Sequence, residues 1–274
     1  MLRFGTSGIP RSTRRPGTEH GIRRARELGL DCLEMAWGNG VRMSDAAADR
    51  IAKARAECGL ELTVHAPYFI NLCGARDVVR RSVRRLVASG IQGARCGARS
   101  LCFHAGFYQK LEPGEARRRV RDRIAEVAAR IRDAGVKIDV RPELTGKPSQ
   151  LGSLDEILAW SATVEGVSPC IDFSHQVARH QGAFNRYEDF AAMLDLVGVR
   201  LGRGALRRLH VHVSGIEYGP KGERRHRPLR ESRFRYRDLL SALHRARASG
   251  WVICETPAME EDALRLQRAY RRMR

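Results

Sequence analysis

Cys170-Ile171-Asp172-Phe173-Ser174-His175 is the stretch on which the reading of this chain turns. A short apolar run reaches Asp172 and His175 follows three residues later, so at a strand's end both side chains can turn into one space. Both are good ligands for a divalent metal. A single D-x-x-H says little, because the pattern arises by chance. Recurrence gives it weight: His65 closes Leu60–Val64, His104 closes Leu101–Phe103, Glu143 follows Val136–Val140, His212 closes Leu209–Val211, and Glu255 closes Trp251–Cys254. Ligands at the same end of successive strands describe a single site.

Outward from that stretch, strand-like and helix-like segments alternate. Strands are expected at Leu2–Gly5, Leu30–Met35, Glu61–His65, Ser100–His104, Lys137–Glu143, Ser168–Asp172, Leu209–Val213 and Trp251–Glu255. Helical spacing falls between them at Glu19–Leu28, Asp45–Cys58, within Asp77–Ala94, at Pro113–Ala134 and Ser153–Ser161, then around Tyr187–Leu196, and at Tyr236–Ala248 and Glu260–Met273. Gly29, Gly59 and Gly135 stand at helix ends, and Ser153-x-x-Glu156 fits a capping box. Eight strand–helix pairs without a linker-like break predict an α/β fold, a single (β/α)8 TIM barrel over residues 1–274. An open doubly wound sheet also alternates, but it would not spread ligands from the third strand to the eighth. Barrels carry their chemistry at the C-terminal ends of the strands, where these candidates fall. The segment Ser214–Ser232 is long, basic and helix-poor, which suggests a functional lid.

Composition narrows the function classes. With 43% hydrophobic and 30% charged residues the chain is not disordered. No run of about 18 apolar residues offers a membrane span. Met1-Leu2-Arg3-Phe4-Gly5 moves straight into a strand-like segment, without the apolar region of a secretory signal, so a cytosolic protein is expected. The seven cysteines are odd in number and scattered, with no C-x-x-C. Cys32, Cys102, Cys170 and Cys254 sit in strand-like runs, where reduced cysteine acts as a small core hydrophobe. A formal net charge of +19 attracts polyanions, of which nucleic acid is the commonest. Arginine-rich faces such as Arg80-Arg81, Arg84-Arg85 and Arg117-Arg118-Arg119 read as solvated surface rather than as a binding face.

Glu143, Asp172, His212 and Glu255, on strands five to eight, make a hard-to-borderline donor set suited to zinc, manganese or magnesium. The competing account is that barrel-mouth carboxylates are satisfied by the chain's many arginines. His65, His104, His175 and His226 add more nitrogen donors than one ion takes. Two or three metals sharing bridging carboxylates is simpler, and a metal pair about 4 Å apart clamps both oxygens of a phosphoryl displacement. His20, His180, His210 and His244 show no such placement, although His210 is an alternative to His212.

These residues lead to a family. Val64-His65-Ala66-Pro67-Tyr68-Phe69-Ile70-Asn71-Leu72 closely resembles the H-x-x-Y-x-I-N-L signature of endonuclease IV, the apurinic/apyrimidinic endonuclease of base-excision repair. Phe103-His104-Ala105-Gly106, Ile171–His175 and Ile253-Cys254-Glu255-Thr256-Pro257 resemble it too. Glu143–Lys147 and His212–Tyr218 look most like its archaeal-type branch. The resemblance runs the length of the chain. It implies a monomeric TIM barrel holding two to three zinc ions, with manganese an option at one position. It also implies cleavage of double-stranded DNA 5′ to an abasic site, leaving a 3′-hydroxyl and a 5′-deoxyribose phosphate.

By matching motifs, one zinc would take His65, His104 and Glu143. A second would share Glu143 and add Asp172, His212 and Glu255, and a third would take His175 and His226. The family gives the third an aspartate two residues before its histidine. Here that position is Arg224, and neighbouring Glu223 is the expected substitute. Glu143, the bridging carboxylate, would also orient the attacking water, and neither a serine nor a cysteine nucleophile is needed. Tyr68 and Asn71 match family positions near DNA, Trp37 and Arg42 lie in a loop the family uses for DNA, and Lys221, Arg224, Arg225 and Arg227 are candidates for phosphate contacts. The alternative is a single-metal sugar isomerase or epimerase of the xylose-isomerase-like superfamily. Such an enzyme resembles the chain in the four ligands of strands five to eight but has no need of the additional histidines.

Overall fold

Strand β1 (Leu2–Ser7) lies between β2 (Cys32–Ala36) and β10 (Gly250–Cys254), parallel to both, so the two ends of the chain meet in one sheet. The structure is a computed structural model and describes residues 1–273. Around the sheet run β3 (Glu61–His65), β4 (Ala98–Phe103), β5 (Asp139–Pro142), β6 (Cys170–Asp172) and β7 (Leu209–Val213), in the order β5-β4-β3-β2-β1-β10-β7-β6. All of these ladders are parallel. Between β5 and β6 isolated bridges complete the circle, with Ser168 N–H donating to Val140 O at 3.1 Å and Leu144 N–H to Cys170 O at 3.0 Å. The result is the expected TIM barrel.

Helices α1 (Thr18–Glu27), α2 (Asp45–Cys58), α3 (Arg76–Arg95), α4 (Pro113–Asp133) and α5 (Leu154–Thr163) alternate with the first strands. After β6 come two helices, α6 (Phe173–Arg179) and α7 (Tyr187–Leu201), and the chain closes with α8 (Tyr236–Arg245) before β10 and α9 (Glu260–Arg271) after it. The capping box of α5 is present, with Ser153 and Glu156 in their expected roles. Two elements differ from expectation. His175 lies on α6, which begins directly at the strand's end because the Asp172 carboxylate caps it, accepting from His175 N–H at 2.7 Å. The Ser214–Ser232 segment is not a loose lid. It contains an antiparallel hairpin, β8 (Gly215–Gly219) and β9 (Gly222–Arg227), followed by a short 3-10 turn at Leu229–Glu231. Among the described residues no helix is long and apolar enough to cross a membrane.

Period-two alternation divides every barrel strand. Leu62 and Val64, Leu101 and Phe103, Val211 and Val213, Val252 and Cys254 join the main apolar core, where strands meet the helices. Thr63 and His65, Ser100 and Cys102, His210 and His212 carry the opposite parity, and all are buried outside that core. Trp251 and Ile253 pack with Cys32 in a separate small cluster. The barrel interior is therefore largely polar. Arg141, 1% exposed, crosses it on hydrogen bonds to Pro169 O, Arg208 O and the Asp139 carboxylate, its guanidinium 5.8 Å from the Trp251 ring centroid.

Candidate metal centre

One further step of the same alternation carries each inward-facing register to the C-terminal mouth. It delivers His65 from β3, His104 just past β4, Glu143 past β5, Asp172 from β6, His212 from β7 and Glu255 past β10. Glu143 is fully buried at the centre. Its Oε2 lies 3.1 Å from His65 Nε2 and 3.0 Å from His104 Nε2, and its Oε1 lies 3.1 Å from His212 Nδ1. Burial alone would raise its pKa, but His104 and His212, with the other imidazoles, outweigh that and hold the carboxyl well below its ordinary range. In return, burial of His65 is overcome by the Glu143 carboxylate, and its pKa rises to about 9.

Backbone carbonyls fix which nitrogen three of the imidazoles present. His65 Nδ1 is 2.8 Å from Ala66 O, His175 Nδ1 is 2.9 Å from Leu144 O, and His226 Nδ1 is 3.0 Å from Glu255 O. A carbonyl oxygen only accepts, so in each ring Nδ1 carries a proton, and in the neutral imidazole Nε2 is left with a lone pair facing the site. Around Glu143 acceptors then face acceptors at hydrogen-bond distance, which a cation, proton or metal, must resolve. Asp172 Oδ2 is fully buried with no hydrogen-bond partner among the described residues, while Oδ1 is used in capping α6. Burial pushes the Asp172 carboxyl up. The donor set of carboxylate oxygens and imidazole nitrogens therefore fits borderline divalent ions.

A second group of ligand atoms sits beside the first. His175 Nε2, the Glu223 carboxylate and His226 Nε2 lie within 4.8 Å of one another. Glu223 Oε2 is 3.4 Å from His175 Nε2 and Oε1 is 3.5 Å from His226 Nε2. Burial would raise the Glu223 pKa, yet His175 and His226 bring it down to about 2. Arg224 is exposed, whereas the Glu223 carboxylate lies against His175 and His226. Gly146 makes the approach possible, since a Cβ there would lie 2.7 Å from Glu223 Oε2 and 3.1 Å from His175 Cδ2.

With this geometry in place the comparison with known proteins is informative. A family model for the xylose isomerase-like TIM barrel matches residues 22–274. The chain belongs to that family. It is similar to an uncharacterized protein of Methanocaldococcus jannaschii, 38% identical over 271 residues, which are 98% of this chain and 97% of that one. A probable endonuclease 4 from a Geobacillus species is 26% identical over 173 residues, covering 61% of this chain and 55% of that protein. Among solved structures, endonuclease IV from Thermus thermophilus superposes with a TM-score of 0.74 at 21% identity, over 99% of this chain and all of that one. A D-tagatose 3-epimerase-like protein gives 0.73 at 17% identity, over 98% and 96% of the two chains. At such identities the structural likeness is one of fold.

The rim of this xylose isomerase-like barrel carries the other sequence candidates. Tyr68 is 72% exposed and its ring centroid is 6.1 Å from that of His65. Its N–H donates to Gly38 O at 3.2 Å, which docks the β3 loop on the β2 loop bearing Trp37 and Arg42. Asn71 turns inward: Oδ1 accepts from Cys73 N–H at 3.1 Å, so the side chain organises its own loop. Arg225 pairs with Glu217 at 2.9 Å and Arg227 with Glu231 at 2.7 Å, leaving Lys221 and Arg224 as the hairpin cations without an ion pair among the described residues. Sequence reading passed over Phe69, 61% exposed beside Tyr68, and the interior acid Glu34, and it gave His210 only as an alternative to His212. For the last two the signal was present: an acid inside the apolar run Cys32–Ala36, and a histidine at the same parity as His212.

Proposed function

We propose that the chain is a zinc-dependent apurinic/apyrimidinic endonuclease, hydrolysing the phosphodiester 5′ to an abasic site in duplex DNA and leaving a 3′-hydroxyl and a 5′-deoxyribose phosphate. The observation that carries the proposal is the placement of Glu143, whose two oxygens face imidazoles on opposite sides: His65 and His104 on one, His212 on the other. Such a carboxylate is suited to bridge two ions. In this reading His65, His104 and Glu143 hold one; Glu143, Asp172, His212 and Glu255 a second; and His175, Glu223 and His226 a third. Zinc held there supplies Lewis acidity, which acidifies water near neutral pH and offsets charge on a phosphoryl group.

The chain's own groups then supply orientation and access. Glu143, kept ionised among the imidazoles, is placed to align an attacking water and accept its hydrogen bond. Asp172 keeps one oxygen free for the site because the other is held by the α6 N-terminus. Tyr68 and Phe69 offer stacking faces at the mouth, where a nucleotide turned out of the duplex would enter, and a missing base lowers the cost of that rotation. Lys221 and Arg224 are free to hold phosphates. The likeness to endonuclease 4 relatives supports the same reading. The protein would act as a cytosolic monomer.

A sugar epimerase shares the fold, but one metal on strands five to eight would leave His65, His104 and the His175–Glu223–His226 group without purpose. The deciding experiment is incision of a duplex oligonucleotide carrying one tetrahydrofuran abasic analogue, with the product ends tested by polymerase extension. Cleavage just 5′ of the analogue with an extendable 3′ end is expected. No cleavage by folded, zinc-loaded protein would overturn the proposal.

A further inference from the structure

Beneath the centre, inside the barrel, lie Glu34 on β2 and His210 on β7, both fully buried. Glu34 Oε2 is 3.0 Å from His210 Nε2 and accepts from the Thr63 hydroxyl at 3.0 Å. Its Oε1 is 3.2 Å from His212 Nε2. The far nitrogen of His210, Nδ1, is 2.7 Å from the Ser100 hydroxyl. A carboxylate and imidazoles in a barrel interior cost more than apolar residues of equal volume would, so stability alone gives no reason for them.

The Glu34 carboxylate can only accept, so the nitrogens facing it donate: Nε2–H of His210 toward Oε2 at 3.0 Å, and Nε2–H of His212, which lies 3.2 Å from Oε1, 3.4 Å from Oε2 and 3.2 Å from His210 Nε2. His210 Nδ1 is then the acceptor for the Ser100 hydroxyl. In neutral His212 the lone pair falls on Nδ1, which faces Glu143 Oε1 at 3.1 Å and Glu255 Oε2 at 3.6 Å. His65, His175 and His226 use the opposite arrangement, with Nδ1 tied to a backbone carbonyl and Nε2 presented. His212 is oriented instead by a side chain, and a side chain can be changed.

We infer that Glu34, held in place by His210 and Thr63, is a positioning residue that fixes His212 as an Nδ1 ligand and sets the affinity of the ion shared with Glu143 and Glu255. The inference rests on the metal-centre reading and not on the identity of the DNA substrate. It extends the site inward to β2, a strand that contributes no ligand.

Two measurements on the full chain test it. In zinc-loaded wild-type protein, long-range proton–nitrogen NMR correlations of the imidazoles should show His212 with a protonated Nε2 and a metal-bound Nδ1. A metal-bound Nε2, whether alone or with both nitrogens bound to ions, would overturn the assignment. Glu34→Gln, isosteric but with one acceptor turned donor, should weaken one bound zinc by about 10–100-fold in chelator competition, with the other ions held as before. Folded E34Q with unchanged zinc affinity would overturn the role of Glu34 and leave the metal centre standing. Wild-type protein that binds no zinc would overturn the centre itself. Should E34Q fail to fold, the wild-type spectrum decides alone.

Discussion

Glu223 and His226 are three residues apart on β9, yet both side chains reach His175. In a regular strand, residues three apart point to opposite faces. The register of the hairpin resolves this: Glu217 pairs with Arg225 and its neighbour Tyr218 with Glu223, so Arg224 is an extra, bulged residue. The bulge adds one residue to the spacing and restores the face. An E-x-x-H with a bulge therefore sets its two side chains on one face, as residues two apart are in a regular strand. Glu223→Ala should lose one zinc per chain by elemental analysis, whereas deleting Arg224 should leave the zinc content intact. Loss of an ion on deleting Arg224, with the fold kept, would count against the bulge as the compensating element.

Gly146 gives a second route to the same ion. A methyl group there would come within 2.7 Å of Glu223 and close to the His175 ring. Gly146→Ala should thus reproduce the zinc loss of Glu223→Ala while every ligand remains. Full zinc content in folded Gly146→Ala would show that Glu223 is free to relax.

Much of this was legible beforehand. Six candidate ligands, His65, His104, Glu143, Asp172, His212 and Glu255, stand at or just past the end of an apolar run, and hydrophobic period with helix punctuation is enough to order the strands, as at Glu61–His65 and Leu209–Val213, where expected and observed bounds coincide. What could not be read was tertiary. The apolar run around Glu34 sets it apart from a surface acid, but what it faces emerges only once β2 is placed inside a closed barrel. The β9 bulge depends on pairing with β8, and the capping role of Asp172, which starts α6 at once, needs the helix to exist.

Removing ligands from the two sides of Glu143 should separate fold from chemistry. His104 Nε2 is 3.0 Å from Glu143, and Glu255 flanks His212 at 3.6 Å. His104→Ala and Glu255→Ala should each lower abasic-site incision by more than about 100-fold, the upper end of the loss expected from an outer-shell partner alone. Circular dichroism should remain that of the wild type. Wild-type incision by either variant would sink the endonuclease assignment.

Tyr68 and Lys221 should affect DNA binding in different ways. Tyr68 presents an exposed ring, and loss of a stacking aromatic costs about 1–3 kcal/mol per base. Tyr68→Ala should weaken binding to abasic duplex by roughly 5- to 150-fold at every salt concentration. Lys221 has no ion pair among the described residues, so Lys221→Ala should reduce the log–log salt slope by about 0.9, the contribution of one phosphate contact. Titrations by fluorescence anisotropy at several salt concentrations read both. A changed slope in Tyr68→Ala with unchanged affinity at low salt would reverse the assignment.

Glu156 links the centre to acid stability. Its Oε2 accepts from Gly152 N–H and Ser153 N–H, both at 2.9 Å, and its Oε1 accepts from Tyr108 Oη at 2.7 Å and Arg117 Nε at 3.0 Å. Gly152, at φ +121°, carries the turn that brings the chain back against Glu143 O, where a side chain would collide. Burial would raise the Glu156 pKa, but these donors outweigh it and hold it below the ordinary value. A depressed folded pKa means that the unfolded chain binds the proton more tightly, so the contribution is fully present above the unfolded value of roughly 4.3. It is lost as pH falls through the folded value. Glu156→Gln, which removes this titration and leaves an amide where two backbone N–H groups need an acceptor, should lower Tm at pH 7. The gap from wild type should narrow as the pH is taken down to about 3. A gap that stays constant over that range would show that the Glu156 contacts do not depend on its charge.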